Sequence, residues 1–257
     1  MRVSHHLLAV SFAALILAAG TVSALKPDAT PETVARGKKL YDRSCLLCHG
    51  SRGKGGGPAA FFIAPYSAPR LNYLATGGFK FRSTASGELP TDQDLFRTVT
   101  NGVPGFMPPF TGLTEEERWQ VIAYLKTFYP NFRQEKPQPL VIGLPPIPSS
   151  PESIEKGRKA YLLNECYVCH GGDGEGDGPA ARAGDLKDGN RMPLAPRDLA
   201  NPASYKNGFS PRDIYRTILT GLDGTPMPSY AGQFTGHEED LWYLVNYIRS
   251  LSGKASP

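Results

Sequence analysis

Two five-residue stretches carry the residues of this chain that are best suited to chemistry. They are Cys45-Leu46-Leu47-Cys48-His49 and Cys166-Tyr167-Val168-Cys169-His170, and they contain all four cysteines of the 257 residues. Two thiols three positions apart can reach the two vinyl groups of one porphyrin, and a histidine that follows them lies under the iron. The pattern therefore predicts two covalently attached c-type haems, with His49 and His170 as the proximal ligands.

Three other roles for paired cysteines agree less well with the sequence. A structural zinc site normally joins two such pairs about 15 to 20 residues apart, whereas 117 residues separate Cys48 from Cys166. A thioredoxin-like pair needs a strand–helix setting, but both motifs follow helical patterns and lead into glycine-rich loops. Disulfides can form in an oxidising compartment, so this alternative stays open. The histidine that follows both pairs favours haem.

Two methionines at matched positions are candidates for the sixth ligand, one for each iron. Met107 lies 58 residues after His49, and Met227 lies 57 residues after His170, each just before a proline in a loop that begins with glycine. The thioether is a soft, neutral ligand, and His/Met ligation raises the reduction potential of a haem. We therefore predict Met107 and Met227 as axial ligands.

Other residues of suitable type are not assigned to a metal. Met192 stands in sequence without a counterpart, and packing is the usual role of methionine. His237 is interpreted as a solvated surface residue because acidic residues follow it. Asp173, Glu175 and Asp177 alternate as in a calcium loop, but the downstream glutamate of that loop is missing.

An internal repeat supplies the elements that position these residues. Pro31 and Pro151 begin matched helices that lead into the haem motifs, since proline with glutamate in the first turn marks a helix start. Thr91 and Ser210 are predicted N-caps of a second matched helix. Each copy therefore places its haem motif after one helix and its methionine after another.

A third matched helix closes each copy. Gly102 and Gly221 are predicted to end the second helices, before the methionine loops. Thr114 and Thr235 are predicted to begin the third helices as capping boxes, and the apolar residues that follow have helical spacing.

Two loop arginines recur after the haem motifs. Ala68-Pro69-Arg70-Leu71 is matched by Ala195-Pro196-Arg197-Asp198-Leu199. A guanidinium offers a fork of donors that suits carboxylates. Arg70 and Arg197 are therefore candidates to pair with haem propionates, the alternative being solvated loop arginines.

The start and the middle of the chain predict domain boundaries. Residues 1–24 combine a basic start, an apolar run and Val22-Ser23-Ala24, which predicts a cleaved secretory signal peptide; an uncleaved membrane anchor is the alternative. Residues 134–150 are proline-rich and predict a semi-extended linker rather than a packed element. We expect one domain at 25–133 and another at 151–257.

Composition narrows the classes of function. The 28 glycines and 24 prolines predict a loop-rich chain. A formal net charge of +4 without a basic run or an aromatic-interleaved patch argues against nucleic-acid binding.

The order of motifs and helices resembles the class I cytochrome c family, with two domains in tandem over 31–129 and 151–251. The resemblance implies an all-α, loop-rich fold in which each domain is built around one covalently bound haem c. It also implies a periplasmic electron carrier, not an enzyme, that exchanges electrons with a redox protein donor and a redox protein acceptor. The segment from 185 to 204 is longer than a compact dihaem cytochrome requires.

Two alternative functions are left open. A dedicated cytochrome subunit of a larger periplasmic or membrane oxidoreductase would carry the same motifs. A dihaem peroxidase or thiosulfate dehydrogenase would need an iron whose sixth ligand is absent, displaceable or unusual, but the chain has no fifth cysteine and His237 is poorly placed. Contact with a membrane is expected only if the N-terminal segment is not cleaved.

Overall fold

The computed structural model describes residues 26–60, 74, 78–189 and 191–252. Within these residues the chain is helical, and two isolated bridges, Val103–Met107 and Lys187–Pro193, are the β-pairings that occur. The expected all-α, loop-rich class is therefore confirmed. The predicted signal peptide and Arg70 lie outside the described residues.

The helices repeat in the same order in the two halves of the chain. The first repeat contains α1 (Pro31–Ser44), α2 (Leu46–His49), α3 (Asp92–Asn101), α4 (Glu115–Leu125) and two 3₁₀ turns, Lys126–Phe128 and Pro130–Arg133. The second repeat contains α5 (Pro151–Leu163), α6 (Cys166–His170), α7 (Pro179–Arg182), a 3₁₀ turn at Pro202–Ser204, α8 (Pro211–Thr220), α9 (Ala231–Phe234) and α10 (Glu238–Leu251).

Most of the predicted helix ends are confirmed. The side chains of Thr91, Ser210 and Thr114 each accept a hydrogen bond from the backbone N–H three residues on, within reciprocal capping boxes. Gly102 and Gly221 end α3 and α8 with φ of 67° and 66°, a conformation that glycine adopts without a Cβ penalty.

The start of α10 differs from the expectation. Its N-cap is His237, not Thr235, and no side chain caps it. The Thr235 hydroxyl instead donates to the Ala231 carbonyl at 2.9 Å, and Glu238 accepts from the Gly236 N–H at 3.1 Å. The reason is α9, a one-turn helix that the sequence did not predict and whose carbonyl captures the threonine.

A glycine lies where the first and last helices of each repeat cross. A Cβ at Gly37 in α1 would lie 1.9 Å from the Gln120 carbonyl oxygen of α4. A Cβ at Gly157 in α5 would lie 1.9 Å from the Tyr243 carbonyl oxygen of α10. Each helix pair therefore packs backbone against backbone, which a larger residue would prevent.

A buried tyrosine on the first helix of each repeat holds the end of the haem motif. The Tyr41 hydroxyl donates to the Gly50 carbonyl at 2.6 Å, and the Tyr161 hydroxyl donates to the Gly171 carbonyl at 2.7 Å. Because a buried tyrosine hydroxyl needs a partner, these bonds fix the residue after His49 and the residue after His170.

Each repeat has its own hydrophobic core, centred on a tryptophan of its last helix. Trp119 stacks on Phe96 with ring centroids 4.2 Å apart, and Trp242 packs on Tyr215 at 4.3 Å. Phe96 and Tyr215 occupy matched positions on α3 and α8, so the same contact joins the second and third matched helices in both repeats.

The segment between the repeats is extended but packed at several points. Residues 135–149 form no helix or strand. The Leu140 N–H donates to the Ser83 carbonyl of the first repeat at 2.7 Å, and the Asn246 side chain donates to the Ile147 and Pro148 carbonyls at 3.1 and 3.3 Å. The segment is thus extended, as predicted, and its backbone groups also find hydrogen-bond partners on both repeats.

A buried ion pair joins the two repeats directly. Arg82 of the first repeat is fully buried, and its Nη2 donates to the Thr220 carbonyl and to Asp223 Oδ1, both at 2.8 Å. Asp223 also accepts from the Ser86 hydroxyl and the Gly87 N–H, at 2.7 and 2.9 Å. The desolvated charges are thus compensated by hydrogen bonds on both sides.

Candidate haem-binding sites

A cleft in the second repeat brings the haem motif and the predicted axial methionine together. Its walls include Cys166, Cys169, His170 and Met227. The other walls are mostly apolar. Such a cleft suits a flat apolar ligand with a few polar groups at its edge.

His170 is partly buried and oriented by a backbone carbonyl. Its Nδ1 lies 3.1 Å from the Arg197 carbonyl oxygen. Burial lowers the pKa of His170, an effect that this hydrogen bond partly opposes, so the imidazole is neutral at physiological pH. A neutral ring that donates through Nδ1 leaves the lone pair of Nε2 for a metal.

The four cysteines, all among the described residues, form no disulfide. Burial raises the pKa of the Cys45 thiol and of the Cys166 thiol to about 11. Both sulfurs are therefore protonated thiols at neutral pH in the polypeptide. This arrangement does not favour the disulfide alternative.

Short loops with the same backbone bond hold the two predicted methionines. The Leu222 N–H donates to the Met227 carbonyl at 3.0 Å, and the Val103 N–H donates to the Met107 carbonyl at 2.8 Å. The glycine that ends α3 or α8 precedes each loop directly. The position of each methionine is thus set by the end of the preceding helix.

The first repeat places its predicted ligands less completely. The His49 Nδ1 atom is buried, and no described residue hydrogen-bonds to it. Desolvation lowers the pKa of His49 to about 4. Met107 lines a pocket of the loop that follows α3, beside Phe106. Arg70, the counterpart of Arg197, lies outside the described residues. The cleft that brings a cysteine pair, a histidine and a methionine together lies in the second repeat.

The long segment from 185 to 204 forms part of the wall of the second-repeat cleft, to which Leu186 and Leu194 contribute. Asp188 in this segment is buried and accepts from the Met192 N–H at 2.9 Å. The Gly189 N–H donates to the Gly224 carbonyl in the loop of Met227, at 3.0 Å. The extra length thus buttresses the methionine loop, and Met192 does not line the cleft.

The sequence did not predict several residues at the edge of this cleft. Lys80 and Phe81 of the first repeat line it, as do Lys206 and the predicted Arg197. Lys206 Nζ lies 3.6 Å from the centroid of the Phe106 ring, and Arg197 Cζ lies 5.6 Å from it. These contacts join the two repeats. The one feature of the sequence that pointed to Phe106 is its position next to the predicted ligand Met107.

Comparison with known proteins identifies the family. Residues 32–125 match the family model of cytochrome c oxidase, cbb3-type, subunit III, and residues 154–252 match that of cytochrome c. A chain of the Kuenenia stuttgartiensis reducing HAO-like protein complex Kustc0457/Kustc0458 is 40% identical with a TM-score of 0.76, over 84% of this chain and 95% of that chain. The chain belongs to the dihaem c-type cytochromes.

A second relative of this dihaem cytochrome is the cbb3-type cytochrome c oxidase subunit FixPc of Rhizobium leguminosarum bv. viciae. The two are 28% identical over 245 residues, which is 93% of this chain and 68% of the relative. One relative is therefore an oxidase subunit, and the other belongs to a protein complex. As a dihaem c-type cytochrome, the protein itself transfers electrons.

Two covalently bound c-type haems follow from the two cytochrome c domains. Each supplies an iron that cycles between the ferrous and ferric states. The residues of the second repeat suit such a group, because an apolar cleft is lined by two unpaired thiols and a neutral imidazole. Among the described residues, no helix is long and apolar enough to cross a membrane.

Proposed function

We propose that this dihaem cytochrome carries electrons between redox proteins of the periplasm through two six-coordinate irons. One haem is attached at Cys45 and Cys48 and ligated by His49 and Met107; the other is attached at Cys166 and Cys169 and ligated by His170 and Met227. The observation that carries the proposal is the single cleft that contains the cysteines, the histidine and the methionine of the second repeat.

The surroundings of His170 and Met227 suit electron transfer rather than substrate chemistry. The Arg197 carbonyl holds the imidazole ring, and the Leu222 N–H holds the methionine backbone. Two strong axial ligands in fixed positions keep the coordination sphere the same in both redox states, and His/Met ligation raises the potential. With the sixth position filled, the iron has no open site for a substrate, and we assign the protein no enzymatic activity.

The two loop arginines complete the proposed haem contacts. Arg197 lines the second-repeat cleft with its guanidinium available to a carboxylate at the edge of a porphyrin. Arg70 receives the same role from its matched position in the first repeat.

We further propose that residues 1–24 are a signal peptide, that the domains span 25–133 and 151–257, and that 134–150 connects them. The two family-model matches, at 32–125 and 154–252, fall inside these boundaries and support them. Covalent haem attachment outside the bacterial cytoplasm supports a periplasmic location.

A second candidate function is that of a dedicated subunit in an oxidoreductase complex. The two relatives, an oxidase subunit and a component of a protein complex, favour it. Size-exclusion chromatography of a native extract, followed by haem absorbance, tests it. Elution at the mass of the chain alone supports a free carrier, whereas co-elution with a larger assembly supports a subunit.

Absorption spectroscopy of the purified holoprotein tests the main proposal. We expect two haems per chain by pyridine haemochrome, the near-infrared methionine-to-iron band for both, and no binding of carbon monoxide. A high-spin fraction, or one haem that binds carbon monoxide readily, would contradict the closed coordination and indicate an enzyme.

A further inference from the structure

Three cationic side chains from both repeats converge on one edge of the second-repeat cleft. Lys80 comes from the first repeat, and Arg197 and Lys206 come from the second; all three line the cleft and are partly buried. Lys206 and Arg197 lie over the same Phe106 ring. The cluster is therefore a single group of charges and not three separate surface cations.

The electrostatics of this cluster favour an anion. Burial and then repulsion by Arg197 and Lys80 lower the pKa of Lys206 to about 7. Burial also lowers the pKa of Lys80, to about 8, against the attraction of Asp188. Such mutual repulsion in a half-buried site is relieved by a ligand that brings negative charge.

Acidic residues of the protein neutralise this cluster only in part. Asp188 acts on Lys80. Glu165 also lines the cleft, but its influence is felt at Tyr230, beside Cys166. The charge of Asp188 thus opposes that of Lys80, whereas Lys206 and Arg197 repel each other.

We infer that Lys80, Arg197 and Lys206 together bind the two propionate carboxylates of the second-repeat haem, so that a side chain of the first repeat completes the cofactor site of the second. The inference rests on the proposed function in that it needs the haem of Cys166 and Cys169 in this cleft. It goes further because it makes the second haem a shared cofactor of both repeats.

The segment that carries Lys80 is fixed against the second repeat. Phe79 is buried in the core of the first repeat, and Phe81 lines the cleft beside Lys80. Arg82 then donates to Thr220 at the end of α8 and to Asp223 in the loop of Met227. Lys80 thus lies between two residues that are fixed by packing and hydrogen bonds, Phe79 and Arg82. Its backbone is therefore held at the edge of the cleft.

The test uses the full-length holoprotein with Lys80→Gln, Lys206→Gln and a charge-matched control, Lys159→Gln, whose side chain is exposed on α5. Resonance Raman spectra report hydrogen bonding of the propionates, and potentiometric titration resolves the two haems. We expect both cluster variants to shift the propionate bending modes. Because a lost cation stabilises the ferric state, we also expect one haem to be reduced about tenfold less favourably, ~59 mV for a one-electron couple.

The control and a conservative variant make the result decisive. Lys159→Gln should change neither the propionate modes nor the potentials. Lys80→Arg keeps the positive charge and should therefore retain the propionate modes and potentials of the unaltered protein. If Lys80→Gln behaves like Lys159→Gln, or lowers both potentials equally, the inference is wrong. The propionate modes report on the cluster whatever the sixth ligand is. Absence of the methionine-to-iron band would therefore overturn the proposed function and still leave this result to be judged separately.

Discussion

The bond between His170 Nδ1 and the Arg197 carbonyl connects two residues that lie 27 positions apart. It fixes the imidazole ring through backbone, so the side chain of Arg197 stays available for another contact. The same residue thus orients a proposed iron ligand with its carbonyl and faces the cleft edge with its guanidinium. Substitution of the Arg197 side chain should therefore leave the ring in place.

Replacement of the proposed axial methionine is the sharpest change of a single residue. We expect Met227→Ala to remove the methionine-to-iron band of one haem and to let one of the two haems bind carbon monoxide, because the sixth position opens. Absorption spectra with and without carbon monoxide measure both effects. Met192→Ala is the matched control, since Met192 does not line the cleft, and it should alter neither. Equal spectra for the two variants would contradict the ligand assignment.

At the scale of residues, the candidate ligands that could be predicted are those marked by a short motif or by the internal repeat. Cys166, Cys169 and His170 follow from one pentapeptide, and Met227 follows from its match to Met107. Lys80 could not be predicted, because its role depends on the packing of one repeat against the other. No pattern within a single repeat records that contact.

The helices are organised by one close crossing in each repeat. The first and last helices approach until backbone meets backbone, at Gly37 in one repeat and Gly157 in the other. The crossing brings the tryptophan-bearing helix against the helix that precedes the haem motif. It therefore shapes the cleft as well as the core.

We expect Gly157→Ala to destabilise the second repeat by about 1–3 kcal/mol, the usual cost of overpacking a close contact. Chemical denaturation followed by circular dichroism measures the free energy of unfolding. Gly143→Ala is the control, because a Cβ there meets no atom within 4 Å. If the two variants were equally stable, the helices would have to separate more easily than this packing indicates.

At the scale of elements, helix starts were predicted correctly where an N-cap residue is followed by apolar residues at helical spacing. The starts of α3, α4 and α8 each combine a hydroxyl N-cap with an acidic residue three positions on. The four-residue helix α9 is too short to show a period, so the redirected Thr235 hydroxyl was missed. The segment from 185 to 204 was recognised as extra length, but its contact with Gly224 depends on the tertiary fold.

At the scale of the whole molecule, Arg82 is buried between the two repeats and is hydrogen-bonded to the second. Breaking a buried ion pair costs about 3–5 kcal/mol, since the remaining charge loses its partner. We expect Arg82→Ala to separate thermal unfolding into two transitions and to accelerate proteolytic cleavage within 134–150. Calorimetry and limited proteolysis measure these effects.

An exposed ion pair provides the comparison for Arg82. Arg36 pairs with Glu32 on the surface of α1, where side chains are 59% and 75% exposed. Such a pair contributes about 0–1 kcal/mol, so Arg36→Ala should leave a single transition and the proteolysis rate unchanged. A single transition in Arg82→Ala as well would mean that other contacts suffice to couple the repeats.

The extended segment between the repeats also determines how electrons can move within the molecule. A flexible linker would let the two haem-bearing halves move relative to each other, and each electron transfer between them would then be limited by diffusion. Here Leu140 is bonded to one half, and Ile147 and Pro148 are bonded to the other. The distance between the two proposed haem sites would then be set by the fold. Internal exchange should accordingly show a single rate that does not depend on solvent viscosity.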